Sequence, residues 1–370
     1  MNHPDSMETM FLPDFSGKGL EDALQRLLRG GTLLDSRIER SCARLDDRFR
    51  TYVNRAPVPQ WAPGLLLQGD MRSWHELYLP MDEIRPPFVH ICRMSCLYSV
   101  NLGGTALFSA PSWPDFLARL QLNPFIFNPA LLLRRIAVEE KFRHAFLCAL
   151  FIPRSYGGSF GRYPLQTAFL ETWLARNRER LSGFVTLLDA ACGCGEGTYE
   201  AAEILLEQGY APEAISVFGS TLEPLELIAA AFGSYPNDPQ RAAVFRAKAG
   251  VLLDNGVGRS IRFFREDISH PAAQGKRYDV ILCNGLLGGP LFHGKEQLAK
   301  GVKSLVDRLN PGGILLAADR FHRGWKMAQQ GELLSLLREN RLEVIDAGEG
   351  VAGVKSESAA RPRRVRRQSP

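Results

Sequence analysis

No stretch of this 370-residue chain reaches the ~18–20 consecutive apolar residues that a bilayer-spanning helix needs, so membrane insertion is not expected. The opening MNHPDSMETMFLPDFSGKG carries acids early and lacks the charged-then-apolar run, closed by small residues, of a secretory leader. A cytoplasmic location is the expectation. Cysteine is sparse too: the seven residues are an odd number, and none shows the CxxC spacing of a zinc site. No metal is therefore expected. Cys92 and Cys96 lie in an apolar, strand-like stretch and read as buried thiols of a reducing compartment.

Surplus charge is also missing from most of the chain. The formal net charge is +5, but Arg361, Arg363, Arg364, Arg366 and Arg367 supply five positive charges, so the remainder sums to zero. A Pro/Arg tail of this kind has too little apolar content to fold alone. It reads as a solvated, disordered end that could touch an acidic partner, nucleic acid or an anionic membrane. The rest, with 45% apolar and 23% charged residues, fits a soluble globular protein of about two domains.

Three regions follow from the pattern. Residues 1–150 read as a mostly helical N-terminal region with a possible β-hairpin, 151–350 as an α/β domain, and 351–370 as the disordered tail. Residues 1–15 look loose. Helical spacing covers Leu20 to Leu28, then Leu34, Ile38, Cys42, Leu45, Phe49 and Val53. Residues 54–87 read as irregular, Phe88–Val100 and Thr105–Ser109 as the hairpin, and Pro114–Leu122 and Pro129–Phe151 as helical. From Val185 onward strands alternate with helices: Val185–Ala190, Ile215–Ser220, Ile261–Phe264, Val280–Cys283, Ile314–Ala318 and Leu342–Asp346. This alternation predicts a mostly parallel sheet with helices on both faces. Ligands of such sheets bind beyond the carboxyl ends of the strands, where the winding reverses.

The first of these strands runs into Ala190-Ala191-Cys192-Gly193-Cys194-Gly195-Glu196-Gly197-Thr198-Tyr199. Small residues let the backbone turn tightly and approach a ligand, and the following helix directs its free N–H groups there. The spacing is not the GxGxxG of a dinucleotide loop. It matches the DxGxGxG loop of class I methyltransferases, with Ala191 in place of the first glycine; a small-residue turn that binds nothing is the alternative.

Five ordered segments over about 190 residues resemble the CheR-type chemotaxis-receptor methyltransferases. The loop resembles AGCSTGEEPY. Ala230-Ala231-Phe232-Gly233-Ser234-Tyr235 fits AxxGxY, Tyr278–Asn284 resembles FDxIFCRN, and Leu309-Asn310-Pro311-Gly312-Gly313 resembles LxPGG. Upstream, Ser159-Phe160-Gly161-Arg162 stands where the family carries TxFFR. The resemblance implies a class I, Rossmann-like methyltransferase fold that binds S-adenosyl-L-methionine. It implies cofactor contacts from Ala190, Ala191, Cys192, Gly193, Gly195 and Glu196, the last toward the ammonium group or, alternatively, favouring only the helix dipole.

After the second strand the family's ribose-binding Asp is absent; Ser220-Thr221-Leu222 stands there, and Glu223 either reaches back or caps a helix. Asp267 and Ile268 stand where the adenine is usually held, or form a surface turn. Asn284 and Gly285 close the fourth strand, and the family's tyrosine beside the transferring methyl is replaced by Gly289 or by Leu291-Phe292. Arg162, whose guanidinium can fork onto a carboxylate, is the polar candidate for catalysis, and His293 could face the same opening. No general base stands out. A glutamate acceptor, with a side-chain pKa near ~4.3, would need none. The expected acceptor is thus a protein carboxylate. Alternatives are a small molecule in a pocket lined by Trp113, Phe125, Phe127 and Phe151, or a non-catalytic cofactor-binding module.

Overall fold

The computed structural model describes residues 10–55, 69–122, 126–152, 159–181, 183–270, 276–318 and 327–357. Phe125 and the five tail arginines lie outside them. The helical part runs β1 (Met10–Phe11), α1 (Leu20–Leu27), α2 (Ser36–Arg55), α3 (Gly69–Tyr78), α4 (Met81–Ser95), α5 (Ala106–Ser109), α6 (Trp113–Leu120), α7 (Pro129–Val138) and α8 (Glu140–Phe151). The alternating part runs α9 (Pro164–Arg176), β2 (Val185–Ala190), α10 (Glu196–Glu207), β3 (Ile215–Thr221), α11 (Pro224–Phe232), α12 (Pro239–Asp254), β4 (Ile261–Arg265) and β5 (Tyr278–Leu282). It ends with α13 (Lys295–Asp307), β6 (Leu309–Ala317), α14 (Gln330–Glu339), β7 (Leu342–Ile345) and β8 (Val351–Lys355).

The chain divides into two compact units that interleave along the sequence. One comprises Met1–Phe160, Gly193–Tyr199 and Thr221–Arg265; the other comprises Gly161–Cys192, Glu200–Ser220 and Glu266–Pro370.

In the first unit, α2 follows the expected stripe: Ile38, Cys42 and Leu45 are buried. At its end Tyr52 is buried and Val53 is exposed, so the stripe drifts by one position. Two expectations fail here. Part of 54–87 is helical rather than irregular, and the hairpin at Phe88–Ser109 does not exist, because Met81–Ser95 and Ala106–Ser109 are helices. Met81, Ile84, Pro87, Phe88, Ile91, Cys92 and Ser95 are buried at three- and four-residue spacing. That stripe begins upstream of Pro86-Pro87, a pair that normally breaks a helix because proline lacks an N–H. Burial of a continuous apolar face outweighs the two missing donors. Cys92 and Cys96 are buried free thiols, as expected, but at a helix end. Arg143 is fully buried and donates to the carbonyls of Arg29, Gly31, Ile136 and Ala137, holding the end of α7 against the segment after α1.

The sheet has eight strands in the order β1-β4-β3-β2-β5-β6-β8-β7. In the second unit β2 pairs in parallel with β3 on one side (Leu188↔Phe218) and with β5 on the other (Leu188↔Ile281). The winding therefore reverses at β2. β6 continues in parallel, and β8 enters antiparallel between β6 and β7. The expected α/β class stands, with a mostly parallel sheet and a helical N-terminal region. β8 corrects the disordered tail expected from residue 351, and β1 corrects the loose start. Val351 and Ala352 are buried, and at Gly353 a Cβ would lie 2.9 Å from Leu342, so the strand needs a glycine there. No helix among the described residues is long and apolar enough to cross a membrane.

Candidate functional site

At the exit of β2 the backbone turns through three left-handed positions in five residues: Ala191 (φ +62°), Gly193 (φ +54°) and Gly195 (φ +88°). The Cys192 N–H donates to Ser220 O at 2.8 Å, which anchors the bend on β3. Ala191 adopts a left-handed conformation that favours glycine, at a steric cost of about 1 kcal/mol. Strain of this kind persists where a loop has a task. Gly193 and Gly195 differ in their surroundings. A Cβ at Gly195 would stand 2.9 Å from Ala230 Cβ and 3.0 Å from Phe263, whereas at Gly193 it would meet none of the described residues within 4 Å. Gly195 is needed for packing, whereas at Gly193 no described side chain would meet an added methyl.

Glu196, the first residue of α10, is 4% exposed and accepts from Arg241 Nη2 at 2.7 Å. Arg241 also stacks over the Tyr235 ring, 4.7 Å from its centroid. Burial, reinforced by the Glu196 charge, pushes the Cys194 thiol well above its usual range. The expected ammonium ligand is thus already one half of a buried ion pair. A carboxylate has about four lone-pair sites, so Glu196 can accept from a second cation as well. Tyr199 is fully buried and donates to Ala230 O at 2.9 Å, which makes it a strut between α10 and α11.

Past β3, the Thr221 hydroxyl donates to Glu226 Oε2 at 2.5 Å. Glu223 caps α11 through the Leu225 N–H at 3.1 Å and accepts from Tyr98 Oη at 2.6 Å. It therefore takes the capping alternative, and burial raises its pKa. Thr221, where the resemblance would put the ribose-binding acid, is 7% exposed. Glu226 is the carboxylate that sequence reasoning missed, because it reads as an ordinary first-turn acid. Burial pushes its pKa up to about 7.

In the second unit, Asp267 caps a turn, accepting from the Ser269 N–H at 2.8 Å and lying 3.2 Å from His270 Nδ1. Ile268 is buried; its Cδ1 lies 3.5 Å from where a Gly301 Cβ would be. Asp267 makes the contacts of the surface-turn alternative, whereas Ile268 is buried rather than at the surface. Asn284 forms a reciprocal amide pair with Gln166 of α9 (3.1 and 2.8 Å), and its Oδ1 also accepts from the Ala318 N–H at 2.8 Å. Gln166 and α9 had no place in the sequence reading. Gly285 has φ +72°, and a Cβ there would sit 3.6 Å from Tyr163 Oη and 3.8 Å from Arg162 Nη1. Arg162 and Tyr163 therefore reach the exit of β5, where the expected tyrosine is missing, and the Arg162 guanidinium lies 5.2 Å from the Tyr163 ring centroid. Phe292 is buried against Gly301, Leu291 is 71% exposed, and His293 Nδ1 lies 3.2 Å from Gly289 O. Neither Leu291 nor Phe292 replaces that tyrosine. Trp113 and Phe127 are core residues of the first unit, joined by a bond from Trp113 Nε1 to Phe127 O at 2.6 Å, which speaks against a pocket between them.

No family model matches the chain, and no curated protein matches it. Solved structures similar to it include an S-adenosylmethionine-dependent methyltransferase from Clostridium acetobutylicum (14% identity, 53% of this chain and 92% of that one, TM-score 0.35). Another is magnesium protoporphyrin IX methyltransferase from Synechocystis with bound SAM (16%, 55% and 88%, TM-score 0.35). A third is the [4+2]-cyclase SpnF (18%, 50% and 72%, TM-score 0.31).

Proposed function

We propose that the chain is an S-adenosylmethionine-dependent methyltransferase whose cofactor lies against the loop from Ala190 to Glu196, with a carboxylate as methyl acceptor. The observation that carries this reading is the bend at the winding-reversal strand, with Ala191, Gly193 and Gly195 all left-handed. Backbone N–H groups of the loop and the first turn of α10 suit the amino-acid end of such a cofactor. Bound there, the cofactor supplies a methyl group made electrophilic by its sulfonium. Glu196, fixed by Arg241, would accept from the ammonium group. Glu226, which accepts from Thr221, would stand in for the missing ribose acid better than Glu223, which accepts from both Tyr98 and the Leu225 N–H. Thr221, Asp267, Ile268, Asn284 and Gly285 would act by shaping strand exits, since the described partners of Thr221, Asp267 and Asn284 lie within the protein.

An ionised carboxylate needs alignment rather than deprotonation, so orientation can supply most of the acceleration. Arg162 can fork onto such an acceptor. The finer resemblance to CheR-type enzymes supports a protein glutamate as acceptor. Incubation with radiolabelled cofactor and candidate proteins, followed by base treatment, tests it: base-labile methanol release is expected, and label stable to base would redirect the proposal to another acceptor. The occupied Glu196, Glu223 and Asp267 favour a second reading, a cofactor-binding module without transfer. That reading predicts S-adenosylhomocysteine binding and no labelled product with any acceptor.

A further inference from the structure

Helix α2 exposes arginine along one line. Arg37, Arg40, Arg44, Arg48 and Arg55 fall within one narrow stripe at 100° per residue, over about 27 Å of helix. No lysine lies on α2. Arg44 and Arg48 open onto a surface recess of about 440 Å³ that is also bordered by Asp47, Thr51, Tyr78 and Glu83. Tyr78 is half-buried, and Trp74, one turn earlier on α3, stacks on it with ring centroids 5.7 Å apart and planes 14° from parallel.

A solvated, internally paired helix face would explain a row of charges, but among the described residues these are not matched one to one. Arg44 (3.7 Å) and Arg48 (3.1 Å) share the single carboxylate of Glu83, and the line keeps a surplus of positive charge. An acidic peptide would use the arginines and leave the aromatic face idle. A nucleic-acid strand uses both: phosphates pair with guanidinium forks, and a base stacks on an aromatic ring beside them. The carboxylates of Asp47 and Glu83, unfavourable to phosphate, can accept from the amino groups of a base. We propose that the α2 arginine line and the Tyr78 recess bind single-stranded nucleic acid, the line holding the backbone and the recess taking a base. This site lies wholly in the first unit and does not depend on the methyltransferase reading.

The test is fluorescence anisotropy of the full chain with a labelled oligouridylate of about 20 nucleotides, titrated across salt concentrations. The binding slope of log affinity against log salt should be about −3, and Arg40→Gln/Arg44→Gln/Arg48→Gln should make it shallower by about 2. Tyr78→Ala should weaken binding about tenfold at unchanged slope, while Tyr78→Phe, which keeps the ring, should bind like wild type. A chain with Arg361, Arg363, Arg364, Arg366 and Arg367 changed to Gln removes the tail's contribution and should still show both effects. No binding at low salt would overturn the proposal, as would a slope unmoved by the triple change. Poly-L-glutamate competing as well as the oligonucleotide would overturn it in favour of an acidic protein partner.

Discussion

The exits of β2 and β5 are built by opposite means. At β2 the shape is made by the backbone: Ala191, Gly193 and Gly195 turn left-handed within one short peptide, and Gly195 fits only without a side chain. At β5 the shape is made by side chains from elsewhere, with Gln166 locking Asn284 and with Arg162 and Tyr163 standing over Gly285. A backbone-built site is intolerant at its own positions, whereas a side-chain-built one depends on residues far away in sequence.

The largest expected effect probes the support behind the β2 exit. Arg241→Met leaves Glu196 as an uncompensated buried charge and should cost about 3–5 kcal/mol in chemical denaturation, most of it recovered by adding Glu196→Gln. If the single change costs nothing, the ion pair does not hold the loop. Next, the two glycines compare the exits directly. Gly195→Ala meets Ala230 and Phe263 and should cost about 2–4 kcal/mol, whereas Gly285→Ala meets only ordinary contacts and should cost about 1 kcal/mol. Equal costs would erase the distinction. At β5, Gln166→Leu strands the Asn284 amide and should cost about 1–2 kcal/mol, seen as a lowered denaturation midpoint with an unchanged slope. The smallest effect has the opposite sign. Ala191→Gly relieves left-handed strain and should stabilise the protein by about 0.5 kcal/mol.

The same division explains what the sequence made legible. The β2 loop was readable because its geometry is written in adjacent small residues, and strand alternation from Val185 marked the sheet through β7. Gln166, Tyr163, Arg241 and Glu226 were not readable as site residues, because nothing local ties Gln166 to Asn284, Tyr163 to Gly285 or Arg241 to Glu196. Helix α4 was hidden by its double proline and by an apolar segment whose composition suits a strand. β8 was hidden because it follows β7 with no helix between them and adjoins an arginine-rich tail. Glu223 and Asp267 follow β3 and β4, and their carboxylates serve a cap and a turn.

Calorimetric titration of wild type and Gly193→Ala with S-adenosylhomocysteine tests the central claim most directly. Among the described residues nothing lies within 4 Å of a Cβ at Gly193, so the added methyl should cost only about 1 kcal/mol of stability. Saturable binding by wild type, weakened at least about tenfold in the variant, is expected if the nucleoside lies against this bend. Absence of binding by wild type, or equal affinity in both proteins, would contradict it.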